Sequence, residues 1–273
     1  VELAYLDPPF AVGTRFAART RPGQARARGE PAYDDTWPSL AAYLGWLEAR
    51  LRVVHGVLSP RHGTMWLHLD HRAVHDAKVL CDGIFGRERF FGEIVWVPGN
   101  GTKARRAPGI THQTLLVYAR GDEPIWNARD EALREPYAAT SQSMHFRRKD
   151  AEGRRYRERV INGRTYRYYA DEGRAIGSVW ADCPAMTANT PLRKEATGYP
   201  TQKPLKLLER IVRASSRKGT LVVDPFCGSG STLVAAAKHG RAFFGCDIGA
   251  LAIKTARKRL EDAGVVFGSS ARR

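Results

Sequence analysis

Apolar positions along the chain fall into short runs and helical stripes separated by Gly- and Pro-rich breaks. Residues 2–6 read as a buried strand that stops at Asp7-Pro8-Pro9-Phe10, where two consecutive prolines fix φ and withdraw backbone donors. Residues 13–36 carry Gly, Pro and the run Arg15, Arg19, Arg21, Arg26 and Arg28, and read as a mobile loop. From Ser39 the period changes. Leu40, Leu44, Leu47, Leu51 and Val54 recur at helical spacing, with Gly56 as the expected stop. After a turn at Ser59–Gly63, the segment Thr64–Leu69 alternates like a strand. A helix is then expected over His71–Ile84, with strands near Glu93–Val97 and Thr114–Ala119. This alternation of β and α predicts an α/β sheet.

The rhythm breaks between about Gly121 and Ala196, which is polar and arginine-rich. Within it, Arg155–Ile161 and Arg164–Tyr169 flank Asn162-Gly163, the dipeptide best suited to a type I′ hairpin turn. After Gly198 the pattern resumes: helix Leu205–Ser215, strand Thr220–Val223, a glycine loop, helix Leu233–Lys238 closed by Gly240, strand Ala242–Cys246 and a basic helix Leu251–Leu260. The expected organisation is one α/β domain in two halves, 1–120 and 197–273, with 121–196 inserted between them. A chain of 273 residues can bury one sizeable core with a smaller lobe.

Composition adds a partner. Lys and Arg number 44 against 28 Asp and Glu, a net charge of +16, which favours a polyanion because neutralised phosphates release counterions. No apolar run is long enough to span a bilayer and no secretory signal is visible. Cys81, Cys183, Cys227 and Cys246 are scattered, giving neither a zinc nor a disulfide pattern, so a reducing cytoplasm is expected. Cys227 reads as a packing residue. His68, His71 and His75 do not make a metal site, since His68 belongs to a strand. Val1 is not a natural start, so further native N-terminal residues are expected.

Two motifs carry the chemistry. Leu221-Val222-Val223 runs into Asp224-Pro225-Phe226-Cys227-Gly228-Ser229-Gly230-Ser231-Thr232, and Asp247 follows at the end of the next strand. Strand, glycine turn, helix, then an acid about twenty residues on is the grammar of adenosine-containing cofactor sites, with the acid facing ribose hydroxyls. A dinucleotide site needs a third glycine where this chain has Leu233. That departure points instead to S-adenosyl-L-methionine, which has no pyrophosphate to seat. The Asp-Pro-Pro-Phe turn suits methylation of an exocyclic amine. The nitrogen lone pair is delocalised into the ring until acceptors, here the Asp7 carboxylate and the Pro8 carbonyl, bind the amino hydrogens. Phe10 is placed to stack on a base swung out of the duplex.

With these motifs in this order, the chain resembles the permuted, β-class amino-group DNA methyltransferases. There the catalytic motif comes first, a target-recognition region follows and the cofactor motif comes last. The likeness extends to Tyr43–Leu47, Gly63–Asp70, Phe85-Gly86 through Trp96, and Gly198-Tyr199-Pro200-Thr201-Gln202-Lys203-Pro204. It implies a Rossmann-like S-adenosylmethionine-dependent fold, a mixed, mostly parallel sheet with helices on both faces. It implies catalysis by Asp7, Pro8, Pro9 and Phe10. Cofactor contacts are implied at Thr201, Gln202, Lys203 and Pro204, the segment resembling the motif at the methionine end, and at Asp224, Pro225, Phe226, Gly228, Gly230, Ser231, Thr232 and Asp247.

Two departures stand out: Phe10 replaces the commoner Tyr, and the segment usually preceding the first strand is absent. Asp in the first motif position favours adenine-N6, with cytosine-N4 as the alternative. Double-stranded DNA is the implied partner, with a homodimer and a cognate restriction endonuclease as further possibilities. The hairpin arginines Arg157, Arg159, Arg164 and Arg167, interleaved with tyrosines, are candidates for DNA reading, or simply a solvated hairpin. Arg15, Arg19 and Arg21 either close over phosphates or belong to an uninvolved loop. Two other classes stay open: an RNA or protein-amide methyltransferase, and a non-catalytic DNA-binding relic of the fold.

Overall fold

A computed structural model describes residues 1–18, 29–99, 104–186 and 195–267. Strand β1 (Leu3–Leu6) is fully buried and ends, as its prolines require, before Asp7. Residues 13–36 are not simply a loop. β2 (Thr14–Ala18) and β3 (Glu30–Asp35) form an antiparallel ribbon in which Phe16 stacks on Tyr33 at 4.7 Å between ring centroids. One aromatic side chain per strand was too little periodicity to show among the arginines. Arg19, Arg21, Arg26 and Arg28 lie outside the described residues.

Ser39 caps α1 (Leu40–Val57) by accepting a hydrogen bond from the Ala42 amide at 3.1 Å, a bond worth about 1 kcal/mol. Gly56 does not end this helix, which runs one residue further before an extended Leu58 stops it. β4 (Thr64–Leu69) is buried at every position rather than on alternate faces, because helices cover both sides of the sheet. α2 (Val74–Phe85) follows, then β5 (Phe90–Trp96) and β6 (Gln113–Ala119).

The segment Asn127–Gly177 forms a compact unit of its own. β7 (Arg134–Glu135) pairs with β11 (Arg174–Ala175), and α3 (Ala139–His145) precedes a three-stranded sheet of order β10-β9-β8. Those strands are β8 (Arg148–Lys149), β9 (Arg155–Ile161) and β10 (Arg164–Tyr169). Asn162 and Gly163 both take positive φ, 49° and 74°, as a type I′ turn demands. The core of this unit is small: Leu133 and Phe146 are buried, and the Arg157 guanidinium lies 5.0 Å from the Phe146 ring.

The remaining residues form the larger unit. It is completed by β12 (Val179–Trp180), α4 (Leu205–Ser215), β13 (Leu221–Asp224), α5 (Ser231–Lys238), β14 (Ala242–Gly245) and α6 (Ala250–Asp262). Its seven strands are ordered β12-β5-β6-β4-β1-β13-β14, and every neighbour pair is parallel except the two that involve β6. The alternation in the first half is therefore broken twice, by the β2–β3 ribbon and by a direct β5–β6 antiparallel pairing. α1 and α2 cover one face through Tyr43, Leu47, Leu51, Ala77 and Cys81, packed on Ala4, Leu6, Met65, Leu67 and Leu116. On the other face the Trp66 indole N–H reaches the Ser215 hydroxyl of α4 at 3.1 Å. Each such buried aliphatic side chain contributes about 2 kcal/mol. No helix among the described residues is long and apolar enough to cross a membrane.

Candidate active site

β1, β13 and β14 are parallel neighbours, with Ala4 opposite Val223 and Asp224 opposite Gly245. Their carboxyl ends therefore emerge side by side, the edge where ligands of open α/β sheets bind. Three acids stand there: Asp7 just beyond β1, Asp224 ending β13 and Asp247 two residues beyond β14. Asp224 is 2 % exposed, and burial, reinforced by the charges of Asp7 and Asp247, pushes its carboxyl up to about 7. Burial also raises Asp7, while the ammonium of Lys203 pulls it back down. Lys203 Nζ donates to both Asp7 oxygens, at 2.7 and 2.6 Å, across 196 positions of sequence. The same ammonium lies 5.0 Å from the centre of the Phe10 ring.

The glycine loop is built as a cradle. Asp224 accepts from the Phe226 amide at 3.0 Å, and Asp247 accepts from Gly228 at 2.9 Å and from Gly249 at 2.8 Å. Gly228 and Gly230 both have left-handed φ, 48° and 78°. At Gly230 the need is also steric: a Cβ there would lie 2.7 Å from the Ala256 side chain of α6. This glycine thus admits a neighbouring helix, whereas a Cβ at Gly228 would come no nearer than 3.4 Å, to Tyr199. Arg259 of α6 ties the loop down, donating to the Ser229 carbonyl at 2.8 Å and to the Ser231 hydroxyl at 2.9 Å. Ser231 in turn donates to the Lys203 carbonyl at 2.9 Å, linking the start of α5 to the residue that holds Asp7. Cys227 is buried with Leu233, Val234 and Leu260, and burial raises its thiol, so it packs as an inert side chain.

Beneath Phe10 sits His68, fully buried on β4, its ring 5.9 Å from that of Phe10 and 5.4 Å from Trp96. Its Nδ1 is 2.8 Å from the Tyr5 hydroxyl, and burial pushes its pKa well below the usual range, so the imidazole is neutral.

The structure brings Asp7, Phe10, Lys203, Asp224 and Asp247 into one neighbourhood, and distributes the other candidates around it. Gln202 is turned inward: its oxygen accepts from the Thr197 amide and hydroxyl at 3.0 and 2.7 Å, and its amide donates to the Glu195 carbonyl. Thr201 has a positive φ of 56° and its hydroxyl meets that of Tyr33 at 3.1 Å. Pro204 caps α4, and Pro225 and Phe226 form the turn after β13, with Phe226 5.6 Å from Trp46. Thr232 reaches Asp224 through its side chain. Arg15 is exposed and paired with Asp34 at 2.9 Å. In the smaller unit, the register places Arg157, Arg159 and Arg164 on one face of the hairpin with Tyr166 and Tyr168. Arg167 falls on the opposite face, paired with Glu158 at 3.1 Å and stacked on Tyr156. Sequence reasoning did not find the partnership of Lys203 with Asp7, nor Tyr5, His68 or Asp35 around the catalytic turn. The Tyr5–His68 pair spans 63 positions, and no local pattern encodes such contacts.

The chain matches the DNA methylase family over residues 1–258. It is 32% identical to the type II methyltransferase M.EcaI of Enterobacter cloacae over 94% of its own length, spanning 64% of that relative. It is 27% identical to the DNA adenine methyltransferase YhdJ of Escherichia coli (strain K12), covering 96% of this chain and 77% of that one. The fold matches TTHA0409 of Thermus thermophilus, solved in complex with S-adenosyl-L-methionine, with a TM-score of 0.55 and 21% identity over 98% of this chain and 89% of the other. The parallel strand ends, the glycine loop and the match along nearly the whole chain place this protein in the N6/N4 DNA methylase family.

Proposed function

We propose that the chain transfers a methyl group from S-adenosyl-L-methionine to the exocyclic N6 of a flipped-out adenine in double-stranded DNA, as part of restriction–modification or epigenetic marking. The observation that carries this is the convergence of Asp7, Asp224 and Asp247 at one sheet edge of a chain with net charge +16. Carboxylates gathered at one edge of a basic protein fit a cationic cofactor there and a polyanion outside. The cofactor supplies an electrophilic methyl carbon on a positively charged sulfur. Asp247, Gly228 and Gly230 would hold its adenosine half, and Asp224 with the Thr201–Pro204 segment would serve its methionine half.

Asp7 does the work at the acceptor amine. Its two oxygens offer about four lone-pair sites, two of them engaged by Lys203, leaving room for an amino hydrogen of the base. The Pro8 carbonyl takes the second hydrogen, and the two acceptors together localise the lone pair on the nitrogen so that it can act as the nucleophile. The proton shed by the methylated nitrogen leaves along the hydrogen bond to Asp7. Phe10, set on His68, stacks on the base. Lys203 keeps Asp7 ionised in a site whose burial favours the neutral acid. Asp in the first motif position, and the name of the YhdJ relative, support adenine over cytosine. The exposed hairpin arginines Arg159 and Arg164 contribute to DNA binding through phosphates and base edges, while Arg157 on the same face packs on Phe146 and supports them.

Modification-sensitive long-read sequencing tests this in a methylation-free host expressing the chain, with Asp7→Ala as control. N6-methyladenine at one short motif, absent with the control, supports the proposal. N4-methylcytosine keeps the mechanism and changes the base. Absence of any mark, with the chain folded and expressed, refutes it.

A further inference from the structure

The catalytic turn is held from outside by a residue that neither motif contains. Asp35, at the end of β3, is fully buried. Its Oδ2 accepts from the Phe10 amide at 3.1 Å and the Val12 amide at 3.0 Å. Its Oδ1 accepts from the Ala11 amide at 2.9 Å and the Trp37 indole N–H at 2.9 Å. Three consecutive backbone donors converge on one carboxylate, the arrangement of an anion nest closed by the protein itself. At its centre Ala11 has φ 57°, a left-handed conformation that costs a non-glycine residue energy and persists only where its surroundings impose it. The Gly13 amide bonds the Asp35 carbonyl at 3.0 Å, so the backbone of Asp35 secures the same stretch.

These contacts specify a task. Pro8 and Pro9 fix the entry to the turn, but nothing in their geometry fixes its exit, and Phe10 is the first residue after them. We infer that Asp35 is the positioning residue of the active site: its carboxylate sets the backbone of Phe10–Val12 and thereby aims the Phe10 ring. A carboxylate is suited to this and an amide is not. Four N–H groups need four acceptor lone pairs, and an asparagine would offer one oxygen while turning its own N–H groups against two of the donors. Asp35 is fully buried and both its oxygens are engaged by the chain itself, so its loss should act on geometry in the chemical step. A displacement of about 1 Å in such a group costs on the order of 100-fold in rate.

The inference rests on the proposed methyl transfer, and the test separates the two. Single-turnover methyl transfer to a target duplex is measured for the wild-type chain and for Asp35→Asn, with cofactor affinity by calorimetry and duplex affinity by anisotropy. The expected result is a rate about 10- to 100-fold lower with both affinities within about threefold, the split a transition-state effect gives. Ala11→Gly in the Asp35→Asn background should recover at least threefold of that loss, because glycine takes a left-handed φ unaided. An unchanged rate in a folded Asp35→Asn chain, or losses of rate and both affinities in parallel, overturns the assignment. Should Asp35→Asn not fold, hydrogen exchange on the wild-type chain decides. The amides of residues 10–12 should exchange at least about 100-fold slower than in an unstructured peptide, and exchange at the unstructured rate overturns the inference. A wild-type chain that binds duplex yet transfers no methyl group overturns the functional proposal instead, and the exchange measurement still judges the clamp.

Discussion

Asp224 makes stability and cofactor binding depend on pH in a direction the structure dictates. Its carboxyl, 3.8 in the open, rises to about 7 when buried at the end of β13. Between these values the folded chain holds a proton that the unfolded chain has released, so stability falls as pH rises from about 4 to about 7. At about 1.4 kcal/mol for each tenfold change in proton affinity this gives roughly 4 kcal/mol, an upper bound because Asp224 is coupled to the charges of Asp7 and Asp247. The perturbation is Asp224→Asn, which keeps the acceptor for the Phe226 amide at 3.0 Å and removes the titration. For a chain of 273 residues about 2–4 °C accompanies each kcal/mol, so the variant should melt up to about 16 °C above wild type at pH 8. At pH 4.5, where the wild-type carboxyl is also neutral, the two should nearly coincide. Thermal unfolding of both chains from pH 4.5 to pH 8 is the assay. The same logic predicts that a cationic ligand drives Asp224 to its charged form, so cofactor binding near pH 7 should release a proton in wild type and less in Asp224→Asn. Calorimetry in two buffers of different ionisation enthalpy reads that release. Parallel melting curves, with no narrowing of the difference at low pH, would refute the reasoning.

Other perturbations probe the same geometry. Lys203→Met strips the ammonium from Asp7 and leaves a buried carboxyl that escapes the penalty by taking up a proton. Methyl transfer should fall roughly 100-fold at neutral pH and recover partly as pH rises, and a loss independent of pH would show that Lys203 acts elsewhere. Gly230→Ala sets a Cβ 2.7 Å from that of Ala256 at a φ of 78°, and should destabilise the chain by about 1–3 kcal/mol in denaturant titration. Ala256→Gly should give back the steric share, so strictly additive losses would count against the clash. In the smaller unit, Arg159→Glu and Arg164→Glu lie on one hairpin face and should weaken duplex binding and flatten its salt dependence, while Arg167→Glu, on the opposite face beside Glu158, should do so less. Equal effects of all three would leave no role for the face.

The elements legible in the sequence were those whose signal is local. Leu205–Ser215 and the Asn162-Gly163 hairpin appear at the boundaries their periodicity and turn chemistry specify. Asp7 and the glycine loop were readable because strand-then-turn motifs carry their own geometry. What escaped was whatever depends on a neighbour distant in the chain. Gly56 looks like a helix stop until Leu58, buried beyond it and bonded back to the Val54 carbonyl, is seen to close α1. Thr64–Leu69 looks amphipathic until both faces are covered.

The acids illustrate the limit most clearly. Each of Asp7, Asp35, Asp224 and Asp247 is visible as a residue, yet their tasks diverge once partners are known. Asp7 is bound by an ammonium, Asp35 by backbone amides, Asp224 by almost nothing charged, and Asp247 by the loop it braces. Burial raises the energy of every buried carboxylate alike, so it is the partner that decides whether the group stays ionised, anchors backbone or waits for a proton. Parallel strand order is what makes this division possible. It brings the ends of β1, β13 and β14 to one edge and lets α4, begun at Pro204, deliver Lys203 between them. A site assembled in this way can lose its function through residues such as Asp35 that belong to neither motif. The clamp and the ammonium, rather than the motifs alone, should therefore separate an active member of the family from an inert copy of the same fold.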